Sequence, residues 1–328
     1  MQIGVIGSGS FGTAIAALLG RKGYDVLLWS FLESEAELIE KERENKEFLK
    51  GVRISDSVHC TNDIEKAVRN SQIVVTVVPS FATRDTAKKL SPFIKDGQII
   101  VNLSKGLENE SLKRLSEVYK EEIPQAKIAV MSGPSHAEEV GIGLPTTNVV
   151  ACDDIEVAKF IQDVFMDETF RVYYSDDVVG VELGGALKNV IALCAGICDG
   201  LGYGDNTKAA LMTRGMAEIK RLGVAMGAKL ETFSGLSGIG DLIVTCTSMH
   251  SRNRRAGILL GKGKNLDETL EEVHMVVEGV HTAKAAYELS RKYKVSMPIV
   301  SEAYSILFEN KNPNQVVKDL MTREKTVE

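Results

Sequence analysis

The sequence predicts an α/β chain in two parts, a doubly wound sheet domain over residues 1–176 and a mostly α-helical domain over 177–328. Three observations carry this. Up to about residue 175, short β-branched runs alternate with helical stretches, the pattern of repeated βαβ units. Those runs are nearly all apolar, as strands buried on both faces of a parallel sheet must be. Beyond that point the strand signals stop and apolar residues recur at helical spacing.

The strands read, in order, IGVIG (3–7), DVLLWS (25–30), IVVTVV (73–78), IIVNLS (99–104), KIAVMSG (127–133), TNVVAC (147–152) and FRVYYS (170–175). The later ones leave room for antiparallel pairing. Helical periodicity then runs through 178–200, 207–226, 266–272, 281–292 and 299–308. No internal repeat, low-complexity tract or Pro- or Ser-rich linker interrupts the chain. The boundary at Ser175-Asp176-Asp177 is a change of period rather than of composition, so the two parts are expected to pack tightly.

At 328 residues the chain suits two domains. Its net charge of −6, with acids and bases interspersed, argues against a nucleic-acid surface. The five cysteines, at 60, 152, 194, 198 and 246, include no CxxC pair, which suits reduced thiols in a cytosol and gives no sign of a metal site. The opening MQIGVIG is already a strand, and the longest apolar run, Val190–Cys198, is too short to span a bilayer. A cytoplasmic protein without membrane insertion is expected.

GSGSFG at 7–12 satisfies G-x-G-x-x-G, follows the strand Ile3–Ile6 and opens a helix at Thr13–Leu19. In that setting the loop marks a Rossmann-like dinucleotide site. Gly7 permits the tight turn, Gly9 admits the pyrophosphate, Gly12 lets helix meet strand, and the helix N-terminus offers N–H donors. About 20 residues on, an NAD-specific site usually places Asp or Glu on the ribose hydroxyls. Here the second strand ends in Trp29-Ser30-Phe31, Glu33 comes slightly late, and no Arg stands there to hold a 2′-phosphate. The choice between NAD and NADP stays open.

ELGGALKNVIALCAG at 182–196 reads as a core helix with Lys188 and Asn189 in its middle. Three and four positions from Lys188 lie Gly184, Gly185, Ile191 and Ala192, mostly small residues that leave room around the ammonium. A lysine running its stem along apolar surface toward water accounts for the same residue, so the helix alone does not decide. Three other stretches have two readings as well: NLSKGLE (102–108), SGPSHAEEV (132–140) and SGIGDLIVTCTSMHSRNRRAG (237–257). Lys105 reads equally as a solvated turn residue, Ser135 with Glu138 as a capping box, and Arg252, Arg254 and Arg255 as a solvated face. Together they point to a site. Doubly wound sheets bind ligands beyond the carboxyl ends of their strands, where Lys105 and Gly133-Pro134-Ser135 fall, and a cationic cluster suits a phosphorylated substrate. Asp241 and Thr245 share a face if 240–246 is helical.

In this order and spacing, GxGSFG, SKGLE, GPSHAEEV, ELGGALKN, SGIGDLIVTC and SRNRRAG run across nearly the whole chain. Together they resemble the NAD(P)-dependent glycerol-3-phosphate dehydrogenases of the bacterial type. That resemblance implies interconversion of sn-glycerol 3-phosphate and dihydroxyacetone phosphate, in the service of phospholipid synthesis. It implies Lys188 as proton acceptor, and Lys105, Gly133, Ser135, Asp241, Ser251, Arg252 and Asn253 in contact with the substrate. It also implies Ser10, Phe11, Lys105, Ala137, Arg252, Val276 and Glu278 in contact with NAD or NADP. Asn189 and Thr245 resemble further substrate-side residues, and a homodimer is left open. Many relatives carry Arg or His where this chain has Phe31, a departure that weakens any carry-over of an NADP preference.

Hydride transfer at a secondary alcohol needs a base with a pKa near neutrality, whereas an unperturbed lysine titrates near ~10.4. Burial and Lys105 would lower Lys188, and Asp241 would raise it. In the reducing direction a protonated Lys188 can polarise the ketone and then donate. Two other functions share the outline. One is a β-hydroxyacid dehydrogenase similar to 6-phosphogluconate dehydrogenase, which would oxidise a 3-hydroxy acid. The other is a non-catalytic sensor, which would bind NAD(P)H and turn over no phosphorylated ketone.

Overall fold

The computed structural model describes residues 1–325 and 327. Ten strands precede residue 176: β1 (Gln2–Ile6), β2 (Asp25–Trp29), β3 (Glu44–Asn45), β4 (Leu49–Arg53), β5 (Val58–Thr61), β6 (Ile73–Thr76), β7 (Ile99–Asn102), β8 (Lys127–Ser132), β9 (Thr146–Cys152) and β10 (Phe170–Ser175). Eight form one sheet in the order β10-β9-β8-β7-β6-β1-β2-β5, while β3 and β4 make a separate hairpin. Neighbours in the large sheet run parallel except β8 and β9. The sheet is therefore doubly wound from β1, with its switch point between β1 and β6.

Burial follows the two-residue period of a strand covered on both faces. Ile3, Val5, Val26, Leu28, Ile73 and Val75 face one core, with Ala14–Leu19 of helix Ser10–Arg21 and Ile161 and Phe165 of helix Ile155–Phe165. Ile6, Leu27, Trp29 and Val74 face the other, with Leu90, Tyr119 and Ile123. The seven apolar runs in the sequence correspond to seven of these strands, and the antiparallel step falls at the late β8–β9 pair. The eighth strand, β5, and the β3–β4 hairpin escape a sequence reading for a physical reason. In VHCT only Val58 is buried, and LKGVR is mostly solvated, so neither shows the apolar run of a central strand.

From Val178 onward the described regular elements are helical. Helix Val178–Gly200 is the axis, capped at its N-terminus by Asp177, whose Oδ1 accepts from Gly180 N at 2.9 Å. By length and composition it would cross a membrane, yet 89% of its apolar window is buried inside the protein, so here it is a core helix. It crosses helix Arg252–Gly261 with backbone on backbone. A Cβ on Gly196 would stand 2.0 Å from Arg254 O, and one on Gly257 2.0 Å from Leu193 O. Helices Arg252–Gly261 and Pro313–Met321 fall outside the helical runs read from the sequence. The first opens on four polar residues, and the second buries only Val316.

The helical part sits directly on the sheet. Val178 and Val181 pack against Val130 of β8 and Ala151 of β9. Glu182 accepts from Ser116 N at 2.8 Å, from Ser116 Oγ at 2.5 Å and from Arg114 at 2.7 Å. Glu278 accepts from Ser80 N at 2.9 Å and from Ser80 Oγ at 2.5 Å. Two buried or half-buried carboxylates thus bolt the domains together.

Candidate active site

The glycine loop lies at the switch point. Gly7 has φ +115°, and a Cβ there would be 2.7 Å from Val77 O, just beyond β6. A Cβ on Gly12 would stand 1.8 Å from Gly7 O. Gly9 differs, because at φ −63° its Cβ would have no heavy atom within 4 Å. Gly7 and Gly12 are thus demanded by the fold, whereas Gly9 borders open space. Gly9 is also the N-cap of helix Ser10–Arg21, with no side chain capping that end, which leaves the first-turn N–H groups of Ser10 and Phe11 for a ligand. Bare glycine backbone and uncapped donors fit a pyrophosphate.

A few residues along the same edge stand the basic cluster. Lys188 is buried at mid-helix, and its Nζ donates to Asp241 Oδ1 and, at 2.7 Å, to Thr245 Oγ1. Asp241 Oδ2 accepts from Lys105 Nζ at 2.7 Å and from Ser132 Oγ at 3.3 Å. Lys105 also donates to Gly133 O at 2.9 Å. Lys105 follows β7 and Gly133 follows β8, so both come from carboxyl ends of parallel strands. Asp241 and Thr245 share one face of helix Asp241–Thr247, and Thr245 Oγ1 lies 2.6 Å from Asp241 O.

Burial pushes the Lys188 ammonium down; Asp241 opposes this and Lys105 adds to it, leaving a pKa of about 8. Burial alone would raise the Asp241 carboxyl, but the charges of Lys105 and Lys188 outweigh it and hold Asp241 below the usual range. A lysine so placed exchanges its proton near neutrality, as an acid–base group must.

Around this centre a chain of amides links four segments. Asn189 donates to Lys105 O at 3.3 Å, Asn253 donates to Asn189 Oδ1 at 2.9 Å, and Gly279 N donates to Asn253 Oδ1 at 2.8 Å. Ser251 caps helix Arg252–Gly261 by accepting from Arg254 N at 3.2 Å. Arg252 opens that helix half-buried, and burial lowers its pKa against the opposing charges of Glu278 and Glu138. Arg254, by contrast, is spent on structure, donating to Asp199 at 2.7 Å and to Thr247 O at 2.5 Å. Ser135 is not a cap. Its hydroxyl donates to Gly133 O at 3.0 Å, and helix Ala137–Gly141 has His136 at its N-cap. Ala137 is buried there, while Val276 and Glu278 stand half-buried at the start of helix Glu278–Lys292.

Two residues at this centre were not singled out by sequence. Ser132 ends β8 against Asp241; a polar residue closing an apolar strand was its only signal. The His136 ring lies 5.7 Å from that of His250, and burial, aided by the Lys188 charge, lowers its pKa. Its position next to Ser135 was the available hint.

The chain's similarities agree with this geometry. Residues 2–158 match the family model for the NAD-dependent glycerol-3-phosphate dehydrogenase N-terminus, and residues 177–318 match the one for its C-terminus. A glycerol-3-phosphate dehydrogenase [NAD(P)+] of Moorella thermoacetica is 57% identical, over 100% of this chain and 97% of its own. The enzyme of the same name from Agathobacter rectalis is 54% identical over the same shares. The crystal structure of glycerol-3-phosphate dehydrogenase from Coxiella burnetii superposes with a TM-score of 0.95 at 37% identity, covering 98% of this chain and 99% of that one. The chain belongs to the NAD-dependent glycerol-3-phosphate dehydrogenase family.

Proposed function

We propose that this protein interconverts sn-glycerol 3-phosphate and dihydroxyacetone phosphate with NAD or NADP, supplying glycerol 3-phosphate for phospholipid synthesis. The observation that carries the reading is Lys188, a buried lysine with a pKa of about 8 beside the carboxyl ends of a dinucleotide-type sheet. When bound, the nicotinamide supplies the hydride chemistry at the alcohol carbon. Lys188 handles the proton. It accepts the hydroxyl proton in oxidation, and in reduction its ammonium polarises the ketone oxygen and then donates. Lys105 and Asp241 set its charge balance, and Thr245 orients its Nζ.

Lys105, Gly133, Ser135, Asn189, Asp241, Thr245, Ser251, Arg252 and Asn253 form the substrate side of the proposal. Arg252 is the phosphate partner: it is half-buried, and among the described residues it has no ion-pair partner, unlike Arg254. Gly7, Gly9, Ser10, Phe11, Gly12, Lys105, Ala137, Arg252, Val276 and Glu278 form the cofactor side. Supporting the division into a dinucleotide domain (1–176) and a substrate domain (177–328) is the end of β10 at Ser175, followed by helix Val178–Gly200. The five free thiols, all buried or half-buried, suit a cytoplasmic setting. The test is spectrophotometric oxidation of NADH and NADPH against a panel of phosphorylated ketones. Turnover of dihydroxyacetone phosphate is expected, and its absence with both cofactors sinks the reading.

A further inference from the structure

A carboxylate missing from the end of β2 in sequence is present there in space. Glu35 belongs to helix Glu33–Glu42, but its side chain turns back over the sheet edge. The Ser8 hydroxyl donates to Glu35 Oε2 at 2.8 Å, and the Ser30 hydroxyl donates to the same oxygen. Ser8 lies between Gly7 and Gly9 of the cofactor loop, and Ser30 directly follows β2. Both serines are buried, so they fix the half-buried carboxylate at the corner between loop and strand end. Oε1 takes no part in either bond.

That corner has a defined use in a doubly wound sheet. With the pyrophosphate on the glycine loop, the adenosine ribose lies beside the end of the second strand. We infer that Glu35 is the ribose-reading carboxylate of this chain, accepting from the ribose hydroxyls and repelling a 2′-phosphate, so that the site selects NAD(H) over NADP(H). The inference rests on the dinucleotide reading proposed above. The surroundings agree. Phe31, 71% exposed, offers a ring where a guanidinium would grip a phosphate. Glu33 brings a second acid into the same first turn. Lys89 is held 5.2 Å over the Phe31 ring; it is a point charge on a flexible stem and not a fork.

Fluorescence titration of the protein with NADH and NADPH tests this by binding alone. NADH is expected to bind at least ~10-fold more tightly, and Glu35→Gln, which keeps the shape and removes the charge, should shrink that ratio at least ~10-fold through a gain in NADPH affinity. Competition by ADP against adenosine 2′,5′-bisphosphate makes the same comparison on the unaltered protein, with ADP expected to win. NADPH binding as tightly as NADH overturns the inference, as does a ratio unmoved by Glu35→Gln. Loss of NADPH affinity in Lys89→Ala, with tight NADPH binding in the parent, assigns the 2′-phosphate to Lys89 and also overturns it. If neither dinucleotide binds, the dinucleotide reading itself falls.

Discussion

Lys188 and Asp241 form a buried ion pair whose carboxylate is shared, with Oδ1 accepting from Lys188 and Oδ2 from Lys105 at 2.7 Å. The lysine therefore feels a burial that expels its proton, one charge that keeps it, and a second cation that sides with the burial, with a net pKa of about 8.

The first consequence is a pair of opposed pH profiles. Alcohol oxidation needs the free amine, so its kcat should rise with pH through about 8; ketone reduction needs the ammonium, so its kcat should fall through the same range. Asp241→Asn removes the charge that holds the proton and should move both limbs to lower pH. Limbs that stay in place would assign the titration to another group. The same shift affects folding. The unfolded chain keeps this proton up to the ordinary 10.5, so between about 8 and 10.5 this group's contribution to stability rises with pH.

Lys188→Met keeps the stem and removes the nitrogen, while Asp241 retains Lys105 as partner. We expect kcat to fall by at least ~100-fold, the scale of lost acid–base help. Circular dichroism should show an intact fold. An unchanged kcat would mean that Lys188 is only a buried structural cation.

Gly9 is the loop glycine that the fold does not require, because its Cβ would meet nothing within 4 Å. Gly9→Val should therefore fold normally yet lose dinucleotide affinity, since the side chain fills the space over the helix N-terminus. NADH fluorescence titration beside a thermal melt reads both. Affinity equal to the parent's would show that this loop is not the cradle. Gly12→Ala should fail differently, by misfolding, because its methyl would press on Gly7 O.

Arg252 and Arg254 are neighbours with opposite expected behaviour. Arg252→Ala should raise KM for dihydroxyacetone phosphate by roughly 10–1000-fold, the worth of a charged contact in a partly desolvated site. It should also abolish the preference over unphosphorylated dihydroxyacetone. Arg254→Ala breaks the contact with Asp199 and Thr247 O and should lower stability by about 2 kcal/mol. Equal, salt-sensitive KM changes in both would reduce the cluster to a diffuse steering field.

How much of this was legible in the sequence depended on whether the signal was local. Central strands announce themselves because burial on both faces makes every position apolar, as in IVVTVV. The edge strand β5 does not, since its outer positions are wet. The residues of the Lys188 centre could be proposed one at a time from strand ends and from a lysine amid glycines. Their pairing could not, because Lys105 and Asp241 meet across 136 positions. The same holds for the charge balance on Lys188, which depends on burial that no spacing encodes. Glu35 marks the limit most plainly. At the expected sequence distance the carboxylate was missing, because a helix residue reaches back to Ser30 instead of standing on the strand.

The close approach of Gly196 to Arg254 O and of Gly257 to Leu193 O makes the distance between Lys188 and Arg252 a property of two touching main chains. Beside the crossing, Asn253 donates to Asn189 and Arg254 to Asp199, so side chains clasp the same two helices. A single methyl added at the crossing would meet a carbonyl oxygen at 2.0 Å and force the two main chains apart, displacing the segments that carry Lys188 and Arg252 together.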